Sequence, residues 1–195
     1  QARAESGLYG DPCLLWVGHL SPGKDPLTVL EGVAQATLHL PRLQLWCAFG
    51  SAPLMEAVRR RIRRDPRLAG RVHLLGKVAH ARVETLMRAA DLFVSGSLSE
   101  SCGYAALEAM ACGTMPVLTD IPSFRVVTDG GRTGMLWPCG RPDRLADALV
   151  RAATDRPAPA RIRAHFDAKL SFAAVGCRWS EADAQLLVDA WRRSG

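Results

Sequence analysis

The sequence lacks the features that identify membrane-spanning, zinc-binding and disulfide-rich proteins. No apolar run in its 195 residues reaches the roughly 18 that would cross a bilayer, and residues 1–12 show no signal-peptide pattern. The six cysteines form no C-x-x-C pair and the five histidines no H-E-x-x-H pair, so we expect no metal site. Unclustered cysteines in a chain of this size indicate reduced thiols and a cytoplasmic protein. That location is compatible with peripheral association at the inner face of the membrane.

Lysine is also scarce, and arginine supplies most of the positive charge. Only three of the 25 basic residues are Lys, the net charge is +6, and six arginines fall between residues 59 and 67. We interpret this cluster as the solvated face of a helix. The alternatives are a surface for nucleic acid or for anionic lipid, but the cluster lacks the interleaved aromatic side chains on which single-stranded bases stack. We therefore expect no nucleic-acid partner. The composition, 48% apolar and 23% charged, is otherwise that of a packed globular domain.

Short β-type segments alternate with helix-length segments through most of the chain. Strands are predicted at residues 13–17, 43–49, 72–75, 92–94, 115–118 and 134–137. Helices are predicted at residues 26–38, 53–64, 81–89, 103–111, 123–129 and 142–153. Strict alternation predicts a single α/β domain with a parallel sheet that helices cover on both faces.

The chain divides into three predicted parts. Residues 1–12 are a linker, residues 13–156 form the α/β domain, and residues 157–195 form C-terminal helices at about 160–172 and 180–193. The last of these helices carries more apolar surface than an isolated tail would need. Because the chain does not begin with Met, we expect it to be part of a longer protein.

In a parallel sheet of this kind, ligands bind at the carboxyl ends of the strands. The loop after the first strand, residues 18–25, combines Gly, Pro and Lys24 next to a helix start, which makes it a candidate cradle for phosphate. It has neither P-loop nor G-x-G-x-x-G spacing, and a solvated loop lysine is the alternative interpretation.

A second candidate loop connects the fourth predicted strand to its helix. Free backbone amides at Gly103, Tyr104 and Ala105 would suit an anion at the positive end of the helix dipole. Glu100 precedes this helix and Glu108 lies within it. Glu100 could simply cap the helix and Glu108 could lie at the surface. The apolar neighbours of Glu108, however, favour a buried polar partner for its carboxylate.

These segments resemble the signature of the group 1 retaining glycosyltransferases. In that family, two glutamates with seven residues between them precede an Ala-Met-Ala-x-Gly-x-Pro-Val run. Here Glu100 and Glu108 have that spacing, and Ala-Met-Ala-Cys-Gly-Thr-Met-Pro-Val follows at residues 109–117. Residues 17–20, 24–27, 75–78 and 131–136 resemble further loops and strands of the family. The matches extend in order from about residue 13 to residue 153.

The resemblance implies one half of a GT-B fold, in which two Rossmann-like domains face each other across a cleft. This chain resembles the C-terminal, donor-binding domain. By the family's pattern Glu100 would be the catalytic residue near the transferred sugar, Lys24 would bind the diphosphate, and Glu108 the ribose hydroxyls. The other donor-binding residues that the pattern implies are Gly18, His19, Val78, Ser101, Cys102, Gly103, Tyr104 and Leu107. Among these, the amides of Gly103 and Tyr104 would hold a phosphate, and the backbone at Val78 would read the base.

The resemblance also implies the partners of a bacterial hexosyltransferase. The donor would be a UDP- or GDP-linked sugar, held without a metal ion or other cofactor. The acceptor, which the sequence does not identify, would bind to the chain's own N-terminal domain, which is absent from this sequence. Because half of the cleft is then missing, we expect the fragment alone to be inactive, and the C-terminal helices to pack toward the missing domain.

The sequence departs from the family's pattern in three places. His19 stands where the family usually has Arg, Gly96-Ser97 where it often has Pro-Ser, and Ser101-Cys102-Gly103 where it has Gly-Phe-Gly. Histidine is only partly charged at neutral pH, so the usual pair of cations is weakened. These departures support an alternative hypothesis, a glycosyltransferase-like nucleotide-binding or assembly domain whose catalysis has decayed.

Overall fold

A computed structural model describes residues 2–176, whose framework is a six-stranded sheet. Its strands are β1 (Cys13–Val17), β2 (Gln44–Ala48), β3 (Val72–Gly76), β4 (Leu92–Ser95), β5 (Met115–Thr119) and β6 (Met135–Trp137). They lie in the order β3-β2-β1-β4-β5-β6, and every neighbouring pair is parallel. This is the doubly wound order of Rossmann-like domains, which confirms the predicted fold class.

Helices cover both faces of this sheet. They are α1 (Ala2–Ser6), α2 (Pro26–Ala36), α3 (Met55–Arg64), α4 (His80–Ala89), α5 (Tyr104–Ala111), α6 (Pro122–Val127), α7 (Pro142–Thr154) and α8 (Pro159–Lys169). One layer brings α2 against α3 and α7, and the other brings α4 against α1 and α5. The central strands β1, β4 and β5 are buried and mostly apolar, as in Cys-Leu-Leu-Trp-Val of β1, whereas the edge strand β3 is half-buried. Within residues 2–176, no helix is long and apolar enough to cross a membrane.

The arginine cluster is only partly a solvated helix face. Most of its side chains lie exposed on or just after α3, but two arginines bind the carboxylate of Asp65, which caps the end of α3. Arg61 also pairs with Glu31 of α2, and Arg67 donates from its Nε to Asp65 Oδ1 at 2.9 Å. The network attaches the end of α3 to α2. Two of the arginines that suggested a nucleic-acid surface are therefore paired with carboxylates of the domain itself.

Residues 2–12, predicted to be a linker, pack on the domain. The helix α1 contacts α4, Leu8 is buried, and Arg3 donates from Nε to the carbonyl of Ala89 at 3.0 Å. Asp91 pairs with both Arg3 and Arg156 and therefore connects the beginning of the described chain to the segment after α7. That residues 1–12 connect to a preceding domain stays a prediction.

The C-terminal part is described through residue 176 and includes α8. This helix packs on α5, Ile162 is buried, and a ring nitrogen of His165 lies 3.1 Å from the carbonyl of Val127. In the described chain α8 thus belongs to the same packed unit as the sheet. The helix predicted at 180–193 lies outside the described residues, and its packing toward another domain stays a prediction.

Candidate functional site

The strand order creates a crevice at one edge of the sheet. The chain leaves β1 toward β2 on one side, whereas it leaves β4 toward β5 on the other, so the loops that follow β1 and β4 diverge and leave space between them. A cavity of about 240 Å³ occupies this space. Six predicted site residues line it: Gly18, His19, Lys24, Glu100, Gly103 and Tyr104.

Lys24 is held inside this cavity. The loop after β1 forms a single 3-10 turn at Pro22–Lys24, and Asp25 then caps α2 with its carboxylate accepting from the amide of Thr28 at 3.3 Å. The turn directs the ammonium group of Lys24 to Oε1 of Glu100, with which it forms an ion pair. The side chains are 28% and 17% exposed. This geometry rules out the interpretation of Lys24 as a solvated loop lysine.

Gly96 allows the two loops to meet. The amide of Leu98 donates to the carbonyl of Gly23 at 2.9 Å, which joins the loop after β4 to the loop after β1. A Cβ atom on Gly96 would lie 2.9 Å from the carbonyl oxygen of Lys24 and 2.7 Å from Cγ2 of Val29. Residue 96 therefore has to be glycine in this packing, which accounts for the Gly-Ser sequence at this position.

Two serines behind Glu100 were not predicted as site residues. The hydroxyl of Ser97 donates to Oε1 of Glu100 at 2.8 Å, and the hydroxyl of Ser95 lies 3.0 Å from that of Ser97. The only signal in the sequence is two small polar residues at the end of a strand, which is common in such loops. Phe124 also lines the cavity, and no pattern in the sequence around it predicts this position.

The start of α5 offers backbone donors to the same cavity. Gly103 caps the helix with a φ of 72°, and a Cβ atom there would lie 2.6 Å from Cε1 of Phe124. The amides of Gly103, Tyr104 and Ala105 donate no hydrogen bond to any of the described residues. Three amides at the positive end of a helix, next to an ammonium group, form an environment suited to an anion.

His19 differs in character from the arginine that it replaces. Its Nδ1 lies 3.1 Å from the backbone amide of Ser51. Because an amide N–H can only donate, Nδ1 is the acceptor in this contact and is not available to donate to a phosphate. Close by, Nε1 of Trp16 is buried and has no hydrogen-bond partner in the described chain.

Glu108 does not line the cavity that Lys24 and Gly103 share. It lines a second cavity, also of about 240 Å³, between α4 and α5, together with His80, Glu84 and Arg88. Because Glu108 follows Tyr104 by four residues, both lie on one face of α5, so the two cavities adjoin one helix. The predicted single crevice around Lys24, Gly103 and Glu108 is therefore two neighbouring cavities.

The remaining predicted residues line neither cavity. Val78 is half-buried in the loop immediately before α4, whose first residue lines the second cavity. Ser101 is exposed and Cys102 half-buried just before α5, and Leu107 packs against the core. In residues 2–176, no group of three or more His, Cys, Asp or Glu side chains could hold a metal ion.

Comparisons with known proteins agree with this architecture. The family model described as Glycosyl transferases group 1 matches residues 11–155. A D-inositol 3-phosphate glycosyltransferase of Rhodococcus erythropolis is 31% identical over 199 residues, which cover 99% of this chain and 44% of that protein. The chain thus spans less than half the length of the curated relatives that it matches.

Solved structures show the same fold. Anabaena Alr3699/HepE, crystallised with UDP and glucose, has a TM-score of 0.78 at 21% identity over 94% of this chain and 51% of that one. The C-terminal domain of the group 1 glycosyltransferase family protein LpcC from Francisella tularensis has a TM-score of 0.71 at 18% identity, covering 92% of this chain and 91% of that one. The domain is therefore one Rossmann-like half of a GT-B fold. With the family model matching well over half of its length, the chain belongs to the group 1 glycosyltransferases.

Proposed function

We propose that this chain is the donor-binding lobe of a retaining glycosyltransferase that transfers a sugar from a nucleoside-diphosphate sugar to an acceptor. The observation that carries the proposal is the cavity between β1 and β4. It holds an ammonium group, three unpaired amides at a helix start and a carboxylate within one small volume. Relatives named as glycosyltransferases and neighbours crystallised with UDP support the donor class.

The diphosphate fits the first cavity because the groups there complement its charge. Lys24 and the amides of Gly103 and Tyr104 can neutralise phosphate oxygens without a metal ion, and the dipole of α5 adds to their field. When Lys24 also binds a diphosphate, its ammonium group attracts Glu100 less strongly, so donor binding loosens the Lys24–Glu100 ion pair. The Glu100 carboxylate then becomes available to the sugar.

The nucleoside extends along α5 in this proposal. Four residues of a helix span about 6 Å, which separates the first turn, where the phosphate binds, from Glu108. Glu108 can accept hydrogen bonds from both ribose hydroxyls, and the base lies toward the loop at Val78. A ligand in this pose bridges the two cavities and uses both glutamates of the signature.

The chemical contribution of this lobe is to stabilise the leaving group. When the bond between the sugar's anomeric carbon and the phosphate oxygen breaks, negative charge develops on the nucleoside diphosphate, and Lys24 and the amides are in place to bind it. Glu100 lies where it can contact the sugar. The acceptor hydroxyl that forms the new bond, with retention at the anomeric carbon, is positioned by the other half of the protein. We therefore expect no transfer by this chain alone.

The test is titration calorimetry of UDP and GDP on the parent chain and on Lys24→Ala. Loss of a charge-assisted contact should weaken binding by about 1.5–3 kcal/mol, or roughly ten- to a hundredfold. Lys169→Ala is the matched control, because this lysine lies in α8 and lines neither cavity. Equal affinity of Lys24→Ala and parent would remove Lys24 from the site.

A second candidate function is nucleotide binding without catalysis. His19 favours it, because its Nδ1 is already bound to the amide of Ser51 and the ring stands where the family usually has a guanidinium, which offers phosphate two parallel donors. Comparing sugar transfer by the full-length protein with that of its Glu100→Gln variant separates the two. An active enzyme loses transfer in the variant, whereas a decayed one shows none in either form. The acceptor, the cytoplasmic location and the contact with the inner face of the membrane stay predictions.

A further inference from the structure

We propose that Ser97 is a positioning residue that determines which carboxylate oxygen of Glu100 faces the donor sugar, with Ser95 orienting its hydroxyl. The inference rests on the proposed donor-binding function and adds to it a residue outside the two-glutamate signature. It starts from an asymmetry in the contacts of Glu100: both of its hydrogen-bond partners bind Oε1, and none of the described residues binds Oε2.

The direction of the hydroxyl protons follows from the chemistry of the partners. A carboxylate can only accept, so the proton of Ser97 Oγ points to Oε1 of Glu100, 2.8 Å away. Ser97 then has no proton left for Ser95, and in their 3.0 Å contact Ser95 must donate. The two hydroxyls form a one-directional chain that ends on the carboxylate, and each donor strengthens the next.

Ser97 is rigidly placed for this role. The residue is only 1% exposed, and its carbonyl accepts from Oγ1 of Thr119, at the end of β5, at 2.5 Å. The loop around it is fixed to the neighbouring loop by the Leu98–Gly23 hydrogen bond. The hydroxyl of Ser97 is therefore a fixed donor, whereas Lys24 reaches Glu100 through a flexible side chain.

The role of Ser97 becomes important when Lys24 binds a diphosphate and its ion pair with Glu100 weakens. Ser97 then keeps its hydrogen bond to Oε1, and Oε2, which has no partner among the described residues, is left to accept from the sugar. A nucleoside diphosphate without sugar does not use Oε2. Ser97 should therefore contribute to the affinity for the sugar nucleotide and little to the affinity for the free diphosphate.

The experiment compares Ser97→Ala, Ser95→Ala and the matched control Ser99→Ala, which removes an exposed hydroxyl from the same loop. The probes are UDP-glucose, UDP-N-acetylglucosamine and GDP-mannose, each measured by calorimetry against its own free diphosphate. Ser97→Ala should lower the ratio of sugar-nucleotide to diphosphate affinity about tenfold, as expected for a hydrogen bond to a charged group. Ser95→Ala should lower it by a smaller factor, and Ser99→Ala should leave it unchanged.

The outcomes separate this inference from the proposed function. A purely structural role of Ser97 would weaken both ligands equally and leave the ratio unchanged, which overturns the inference alone. A parent chain that binds sugar nucleotide no more tightly than diphosphate also overturns it, since Glu100 then gives the sugar no contact. A parent chain that binds no nucleotide overturns the proposed function together with the inference.

Discussion

Lys24, Glu100 and His19 line one cavity, and each of them already has a partner. Lys24 forms an ion pair with Glu100, and Nδ1 of His19 accepts a hydrogen bond from the backbone amide of Ser51. At the residue scale, we therefore expect the affinity of this site for a diphosphate to depend mainly on the ammonium group of Lys24, supported by backbone amides. This dependence leads to a prediction at residue 19.

Replacing His19 by Arg should strengthen nucleotide binding. The guanidinium adds a permanent charge and two parallel donors for phosphate oxygens, so we expect UDP or GDP to bind about three- to tenfold more tightly, about 0.7–1.4 kcal/mol, with a steeper dependence on salt. His39→Arg makes the same chemical change in the groove between β6 and α7 and should have no effect. Unchanged or weaker binding by His19→Arg would place residue 19 outside the phosphate site.

Local patterns were sufficient to identify some candidate residues, whose roles stay predictions. The Gly, Pro and Lys content of the loop after β1 and the start of a helix at Gly103 made Lys24 and the free amides candidates, and both line the same cavity. The contacts of Glu100 were not predictable. Its partner Lys24 is 76 residues away in the sequence, and the two meet only because β1 pairs with β4, an adjacency that no local pattern contains.

At the scale of the elements, the two loops that form the cavity depend on a close approach at Gly96. Replacing Gly96 by Ala should force the loops apart, because the added Cβ would overlap the backbone of Lys24 and the side chain of Val29. Overpacking of this kind costs about 1–3 kcal/mol of unfolding free energy, measurable by urea denaturation, and should also weaken UDP or GDP binding. In Gly23→Ala, on the facing loop, the new methyl group meets no atom within 4 Å. A Gly96→Ala variant as stable as Gly23→Ala would contradict the described packing.

The end of α3 gives a prediction about pH. Hydrogen bonds from Arg67, and then from Arg61, hold the pKa of the Asp65 carboxyl well below its usual range. A carboxyl whose pKa is lowered by folding stabilises the protein above its unfolded pKa of about 3.9, and this contribution is lost as the pH falls toward the folded value. Asp65→Asn should therefore cost about 2–3 kcal/mol of unfolding free energy at pH 7, and the difference from the parent should shrink below about pH 4.

The control for this prediction is Glu56→Gln, which removes an exposed carboxylate 3.8 Å from Arg59 on the same helix. Exposed pairs contribute about 0–1 kcal/mol, so this variant should resemble the parent from pH 7 to pH 3. Chemical denaturation at several pH values measures both variants. Equal losses in the two would show that the Asp65 network adds no more than a surface pair.

The elements themselves were largely predictable. The predicted strand at residues 13–17 matches β1 to the residue, and the predicted helix starts at residues 26 and 142 match those of α2 and α7. The helix α1 was missed because its five residues carry no apolar periodicity. Its position depends on Arg3, which reaches the carbonyl of Ala89 and the side chain of Asp91, and contacts of that range are not visible in a short sequence window.

At the scale of the whole molecule, the predicted donor crevice is divided into two cavities along α5. Lys24 and Glu100 line one, and Glu108 lines the other. Because the chain spans less than half of the relatives it matches, the described face at the strand ends is one side of a larger cleft in our proposal. Glu100 lies just before α5 and Glu108 lies within it, eight positions later. A ligand that bridges both cavities would contact both glutamates and so explain this spacing.

The measurement that tests this account most directly is NMR titration of the ¹⁵N-labelled chain with UDP and with GDP. We predict that one of them shifts the amide signals of Gly18, Gly103 and Tyr104, together with residues around Val78 and Glu108, because one ligand crosses both cavities. Shifts confined to other surfaces, or no shift with either nucleotide at millimolar concentration, would contradict the assignment of this crevice as the donor site.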